Sequence, residues 1–185
     1  MKKALHQMTN EELWQLFPIE VVEHNPDWEN WFTQQMKELM AILKDISIHS
    51  ISHIGSTAIA NIMAKPIIDI LIEVNAEEDL KNSNIILEKH GYITMSYEEK
   101  RISMNKGYTI DGFAEKVFHI HLRIVNDNDE ILFCDYLNNH PDLAKEYEQL
   151  KCSLAAIYRN NRDAYTDAKS EFIRKCMAQA KQEGY

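Results

Sequence analysis

One stretch constrains this chain more than any other. Residues 53–74 read HIGSTAIANIMAKPIIDILIEV. A Gly-Ser pair is followed, after twelve intervening residues, by an aspartate inside a long apolar run. Before it, ISIHSISHI alternates apolar and polar residues, the pattern of a strand, which Gly55-Ser56 ends. After it, PIIDILIEV is apolar on both faces, which predicts a central, doubly covered strand. Asp69 therefore enters the interior, where a carboxylate without a partner is too costly to persist. Residues two apart on a strand share a face, so Asp69, Leu71 and Glu73 look one way and Ile68, Ile70 and Ile72 the other.

The remaining pattern predicts an α+β fold, with a mixed sheet and a helical C-terminal third, built as one domain over 1–185. Only five glycines and four prolines interrupt it, so the elements are long. TNEELWQLF opens with a capping box, Thr9 to Glu12, and predicts a short helix; IEVVEH predicts a short strand. A helix is expected from Pro26 to Lys44, capped by Asn25, with Trp28, Phe32, Met36, Leu39 and Leu43 on one stripe. AIANIMAK predicts a helical turn, and AEEDLKNSNIILEKHG a helix closed by Gly91. YITMSYEE, RISMNK and KVFHIHLRIV read as strands, the last two joined by a loop at Asp111-Gly112. EILFCDYLNNH, a segment restarting at Pro141, and a final segment carrying Tyr165, Phe172 and Cys176 read as helices.

A net charge of −9 argues against a nucleic-acid polymer as partner, because such binding needs many Lys and Arg contacts to phosphate. A small nucleotide stays compatible, since a divalent cation can carry the positive charge. Cys134, Cys152 and Cys176 are dispersed and odd in number, which predicts no disulfide framework and a cytoplasmic, reducing setting. Thr9, Asn10, Glu11 and Glu12 follow Met1-Lys2-Lys3 before any apolar stretch, so no signal peptide is expected, and no run reaches a membrane span.

A glycine ending a strand lets backbone amides approach a phosphate, and a serine adds a hydroxyl. A carboxylate on the next strand can hold Mg²⁺ against the same phosphates. Gly-Ser, about a dozen residues, then Asp is also the spacing of the nucleotidyltransferase superfamily. More closely, HIGSTAIANIMAKPIIDILIEV, with ELWQLFPIEVVEHNPDWENWF, FHIHL, YEQLKCSLA and YTDAKSEFI, resembles the GrpB (UPF0157-type) family of nucleotidyltransferase-like bacterial proteins. The likeness runs over almost the whole chain and implies that fold, with the helices packed on one face of the sheet and a C-terminal helical pair flanking the cleft. Two departures stand out. Leu71 occupies the place of the second metal-binding acid, leaving Glu73 one pleat further on, roughly 6 to 7 Å away. Ile59-Ala60-Asn61-Ile62 stands where the family more often has Val-Pro-Gly-Leu.

On this basis Gly55 and Ser56 are candidates to seat a triphosphate, and Asp69 with Glu73 to hold a metal. Lys65 and Arg101 are candidates to offset phosphate charge, His119, His121 and Arg123 share one strand face, and the resemblance marks Lys151 and Lys169 as contacts from the helices. Each has a bland alternative: a strand-ending turn for Gly55-Ser56, a hydrogen-bonded or Lys65-paired structural carboxylate for Asp69, packing for His-x-His, a solvated helix face for the lysines. The expected function is Mg²⁺-dependent nucleotide transfer or phosphate-ester chemistry on a small molecule. A non-catalytic nucleotide- or metabolite-binding module is the alternative, in keeping with similar domains appended to coenzyme A biosynthetic kinases. A third is a His-x-His metalloenzyme using His119, His121 and Asp69. The partner is a small-molecule or nucleotide ligand, with a homo-oligomer left open.

Overall fold

The computed structural model describes residues 3–185; Met1 and Lys2, where the N-terminal expectation begins, lie outside the described residues. Five strands form one mixed sheet: β1 (Ile48–Ile54), β2 (Ile67–Val74), β3 (Ile93–Tyr97), β4 (Arg101–Thr109) and β5 (Gly112–Ile124), in the order β1-β2-β5-β4-β3. β2 and β5 run parallel and the other pairs antiparallel. The α-helices are α1 (Asn10–Leu16), α2 (Trp28–Ile42), α3 (Glu77–Lys89), α4 (Asp129–Asn139), α5 (Pro141–Ile157) and α6 (Arg162–Gln182). The fold is α+β, as the pattern predicts.

β2 is central and covered on both sides. Ile68, Ile70 and Ile72 pack with Trp28, Phe32 and Leu39 of α2 and Leu80 and Leu87 of α3. Leu71, on the opposite face, packs with Ile54, Phe133, Leu137, Tyr147 and Cys176 under α4, α5 and α6. Helices therefore cover both faces, not one, because a strand apolar on each side leaves two surfaces to bury. Among the described residues, no helix is long and apolar enough to cross a membrane.

Three local expectations change. IEVVEH forms no strand; Val22 makes a single antiparallel bridge to Ala64, through Val22 N to Ala64 O at 2.8 Å and Ala64 N to Val22 O at 3.0 Å. Asn25 does not cap α2; its Oδ1 accepts from Asp27 N at 2.9 Å, and the helix starts at Trp28. The helical turn after β1 falls on Ser56–Ala58 rather than on AIANIMAK. Thr9 behaves as expected, with the capping box closed by Thr9 N to Glu12 Oε2 at 2.7 Å and Glu12 N to Thr9 Oγ1 at 3.3 Å.

The β1–β2 connection is pinned from the C-terminal helices. Asn138 bridges Ala60 N and Ala58 O, at 2.9 and 3.0 Å. Glu148 accepts from Met63 N, Lys151 Nζ donates to Met63 O, and Lys145 Nζ donates to Asn61 O at 2.8 Å. Asn61 has φ +58°, a left-handed conformation that Asn tolerates better than most residues.

Candidate metal and anion site

Asp69 sits where three strands meet. It pairs across β1 with Ile54, the last strand residue before Gly55, and across β5 with His119. Gly55 has φ +73° and ψ −171°, a region essentially reserved for glycine. The backbone turns there directly over the Asp69 side chain. Ser56 lies next in the turn, close to the Tyr147 hydroxyl of α5.

His119 and His121 supply the partners that a partly buried carboxylate needs. His119 Nδ1 and His121 Nε2 both lie 3.2 Å from Asp69 Oδ1. The Tyr108 hydroxyl lies 2.8 Å from His119 Nε2. One assignment satisfies both His119 nitrogens: Tyr108 donates to Nε2, and neutral His119 donates from Nδ1 to Asp69. Burial pushes the His119 pKa down, against the pull of Asp69, and Arg162 and Lys65 push the same way. Burial acts to raise the Asp69 pKa, but its bonds to His119 and His121 prevail and hold it well below the usual carboxylate range. Potential ligand atoms of Asp69, His119 and His121 all lie within 4.8 Å of one another.

Cations ring this group although the chain carries net charge −9. Burial, then repulsion from Arg162 and Lys169, drives the Lys65 pKa down to about 8, while Asp69 pulls it back. Burial also lowers Lys169, which feels Asp69 and Arg162. Both ammonium groups lie over the Tyr165 ring, Lys65 at 5.6 Å and Lys169 at 4.5 Å from its centroid. Arg162, in the first turn of α6, lies near the Tyr108 hydroxyl, and its charge acts on Lys65, Lys169 and His119.

The structure thus places Gly55, Ser56, Lys65, Asp69, His119, His121 and Lys169 around one centre, and four other candidates elsewhere. Glu73 is 2% exposed and fully engaged: Ser50 Oγ donates to Oε2 at 2.7 Å and Asn126 N to Oε1 at 3.0 Å. Glu73 is no partner of Asp69 in this arrangement, because four residues along β2, about 13 Å, carry it to the far end of the strand. Arg101 is exposed and makes a two-pronged bond to Asp127, at 2.7 and 2.6 Å. Arg123 pairs with Arg101 across β4 and donates to Leu122 O at 3.0 Å at that same far end. Lys151 is buried, bonded to Met63 O and 4.9 Å from the Tyr147 ring centroid. His53, a weak candidate from sequence, stacks on Phe32 at 4.9 Å, between Glu29 and Thr57.

Tyr108 and Arg162 are the residues that sequence reasoning missed. Simple alternation puts Tyr108 on the face opposite Asn105 and His119. The hairpin register shifts after Lys106, at Gly107 with φ +94°, and this turns Tyr108 back toward His119.

A model of the GrpB protein family matches residues 18–179. The chain belongs to the GrpB family. A glutamate-rich protein GrpB of Alkalihalophilus pseudofirmus is 35% identical over 162 residues, covering 83% of this chain and 90% of that one. The UPF0157 protein YqkA of Bacillus subtilis is 34% identical over 166 residues; this chain spans 88% of its own length but only 47% of that relative's. The crystal structure of conserved protein GrpB from Enterococcus faecalis superposes with TM-score 0.76 at 31% identity, covering 89% of this chain and 98% of that one. The Cid1 poly(U) polymerase bound to MgATP matches with TM-score 0.51 at 13% identity, over 77% of this chain and 44% of that one. That likeness shows a nucleotidyltransferase-like fold for this GrpB-family protein.

Proposed function

We propose that this protein binds a phosphate-bearing, nucleotide-like small molecule and performs phosphate-ester chemistry on it, through one divalent ion held by Asp69, His119 and His121. The observation that carries this is the convergence of those three side chains inside a ring of cations, Lys65, Lys169 and Arg162. One carboxylate and two imidazoles suit Mn²⁺ or Zn²⁺. Mg²⁺, which prefers oxygen ligands in an octahedron, fits the set poorly. A pair of Mg²⁺ ions fits worse, since Leu71 is apolar and Glu73 is engaged elsewhere.

When bound, such an ion polarises a phosphoryl oxygen and lowers the pKa of bound water. The chain's own groups do the rest. Lys65, Lys169 and Arg162 take the charge of the phosphate oxygens, and Ser56 offers a hydroxyl; with an ion at His119 Nδ1 the ring proton would sit on Nε2 and be donated to the Tyr108 hydroxyl, which fixes the ring from behind. A binding module without catalysis is the second reading, favoured by one observation: Leu71, at the position of the second acid, is fully buried in an apolar cluster.

Calorimetric titration of Mn²⁺, Zn²⁺ and Mg²⁺ tests the metal, with pyrophosphate added before and after. The expected result is one Mn²⁺ or Zn²⁺ per chain, tighter than Mg²⁺, lost in Asp69→Asn, and pyrophosphate binding strengthened by the ion. Equal metal binding by the folded Asp69→Asn protein would sink the proposal. Hydrolysis of bis(p-nitrophenyl) phosphate by the loaded protein then separates catalysis from binding.

A further inference from the structure

A second cavity adjoins this site and has a different character. About 930 Å³ in volume, it opens between α1, the β4–β5 hairpin and the start of α6. That volume lies within the range of small-molecule pockets. Three aromatic rings form one wall: Phe17 to Tyr108 at 4.7 Å, Phe17 to Phe113 at 5.0 Å and Tyr108 to Phe113 at 5.2 Å between centroids. Trp14 of α1 lines the cavity as well. No residue of α1 is buried, so the helix roofs a space instead of sealing a core.

Asn105 lines the cavity, is only 3% exposed, and its Nδ2 finds no hydrogen-bond partner among the described residues. A buried amide donor left unpaired is costly and rare in native structures. Asn105 pairs directly across β4–β5 with His119, so this donor stands beside the metal-binding group but is not part of it. Lys65 and Arg162 line the cavity too, and they form its boundary with the Asp69 centre.

We infer that this cavity binds a second small molecule with a flat heteroaromatic ring, whose carbonyl or ring nitrogen accepts the free Asn105 amide hydrogen. The ring stacks on the aromatic wall, and its polar end is turned to Lys65 and Arg162, facing the phosphate site. In that placement it is the acceptor-side reactant of the proposed chemistry. The inference deepens the proposed function in that respect, but the cavity and the unpaired amide stand without any metal.

Saturation-transfer NMR on the full chain, with adenine, uracil and nicotinamide as probes and no added metal, tests it. At least one ring binds with Kd of about 1 mM or below, a reachable affinity for a ligand of that size. Asn105→Leu, which removes the donor at similar volume, weakens it about 5- to 10-fold. Trp14→Ala weakens it about 10-fold and stands in for Asn105→Leu if that variant fails to fold. Asp69→Asn leaves ring binding unchanged while abolishing metal uptake, so the two proposals fail separately. Absence of binding for all three probes, or unchanged binding in either folded cavity variant, overturns the inference.

Discussion

A Cβ placed on Gly55 would lie 2.5 Å from Oδ2 of Asp69 and 3.0 Å from its Cβ. The glycine is therefore the space in which the carboxylate sits, and its positive φ is the second reason no other residue fits.

Gly55→Ala is expected to destabilise the fold by about 1 to 3 kcal/mol, the cost of a strained backbone conformation, before any steric push on Asp69. Urea unfolding measures this. In an Asp69→Ser background the steric part shrinks, and a double-mutant cycle reports a coupling between the two positions. Additive effects would show that the contact carries no energy.

Stability should rise with pH between about 7 and 9.5. Burial, with repulsion from Lys169, lowers the Lys151 pKa to about 7, and Lys65 sits at about 8, against 10.5 for free lysine. Through that window the unfolded chain binds more protons than the folded one, so the gain is complete only above the unfolded pKa and is lost as pH falls through the folded values. Each lysine contributes a slope of up to about 1.4 kcal/mol per pH unit. Above about pH 10 the trend reverses, because burial raises Tyr165 to about 12 and raises Tyr147 further. Lys151→Met flattens the rise; a parent curve level from pH 7 to 9.5 contradicts it.

Glu73→Gln should cost about 1 to 3 kcal/mol, since it weakens hydrogen bonds from Ser50 and the Asn126 backbone to a buried charge. Metal stoichiometry should not change. A loss of bound metal in the folded variant would return Glu73 to the site.

Leu71→Asp restores an acid by sequence logic, yet Leu71 is fully buried among Ile54, Phe133 and Leu137. An unpaired charge there should destabilise by about 3 to 5 kcal/mol and gain no tighter Mg²⁺ binding. Thermal unfolding and a Mg²⁺ titration of the same sample decide it.

The sequence by itself determined the elements and the strand parity. Alternation in ISIHSISHI and the doubly apolar run around Asp69 fixed two adjacent strands, because periodicity is a local consequence of burial. It determined as well that Asp69 needs partners, since an interior carboxylate cannot stand alone. Tertiary structure alone decided which partners. Parallel pairing of β2 with β5 put His119 and His121 on Asp69, while the same parity carried Glu73 and Arg123 to the opposite end. The shift at Gly107 turned Tyr108 onto His119, and the start of α6 delivered Arg162 from 93 residues beyond Asp69 in the sequence. None of these is visible to local pattern, because each depends on how distant segments are registered against one another.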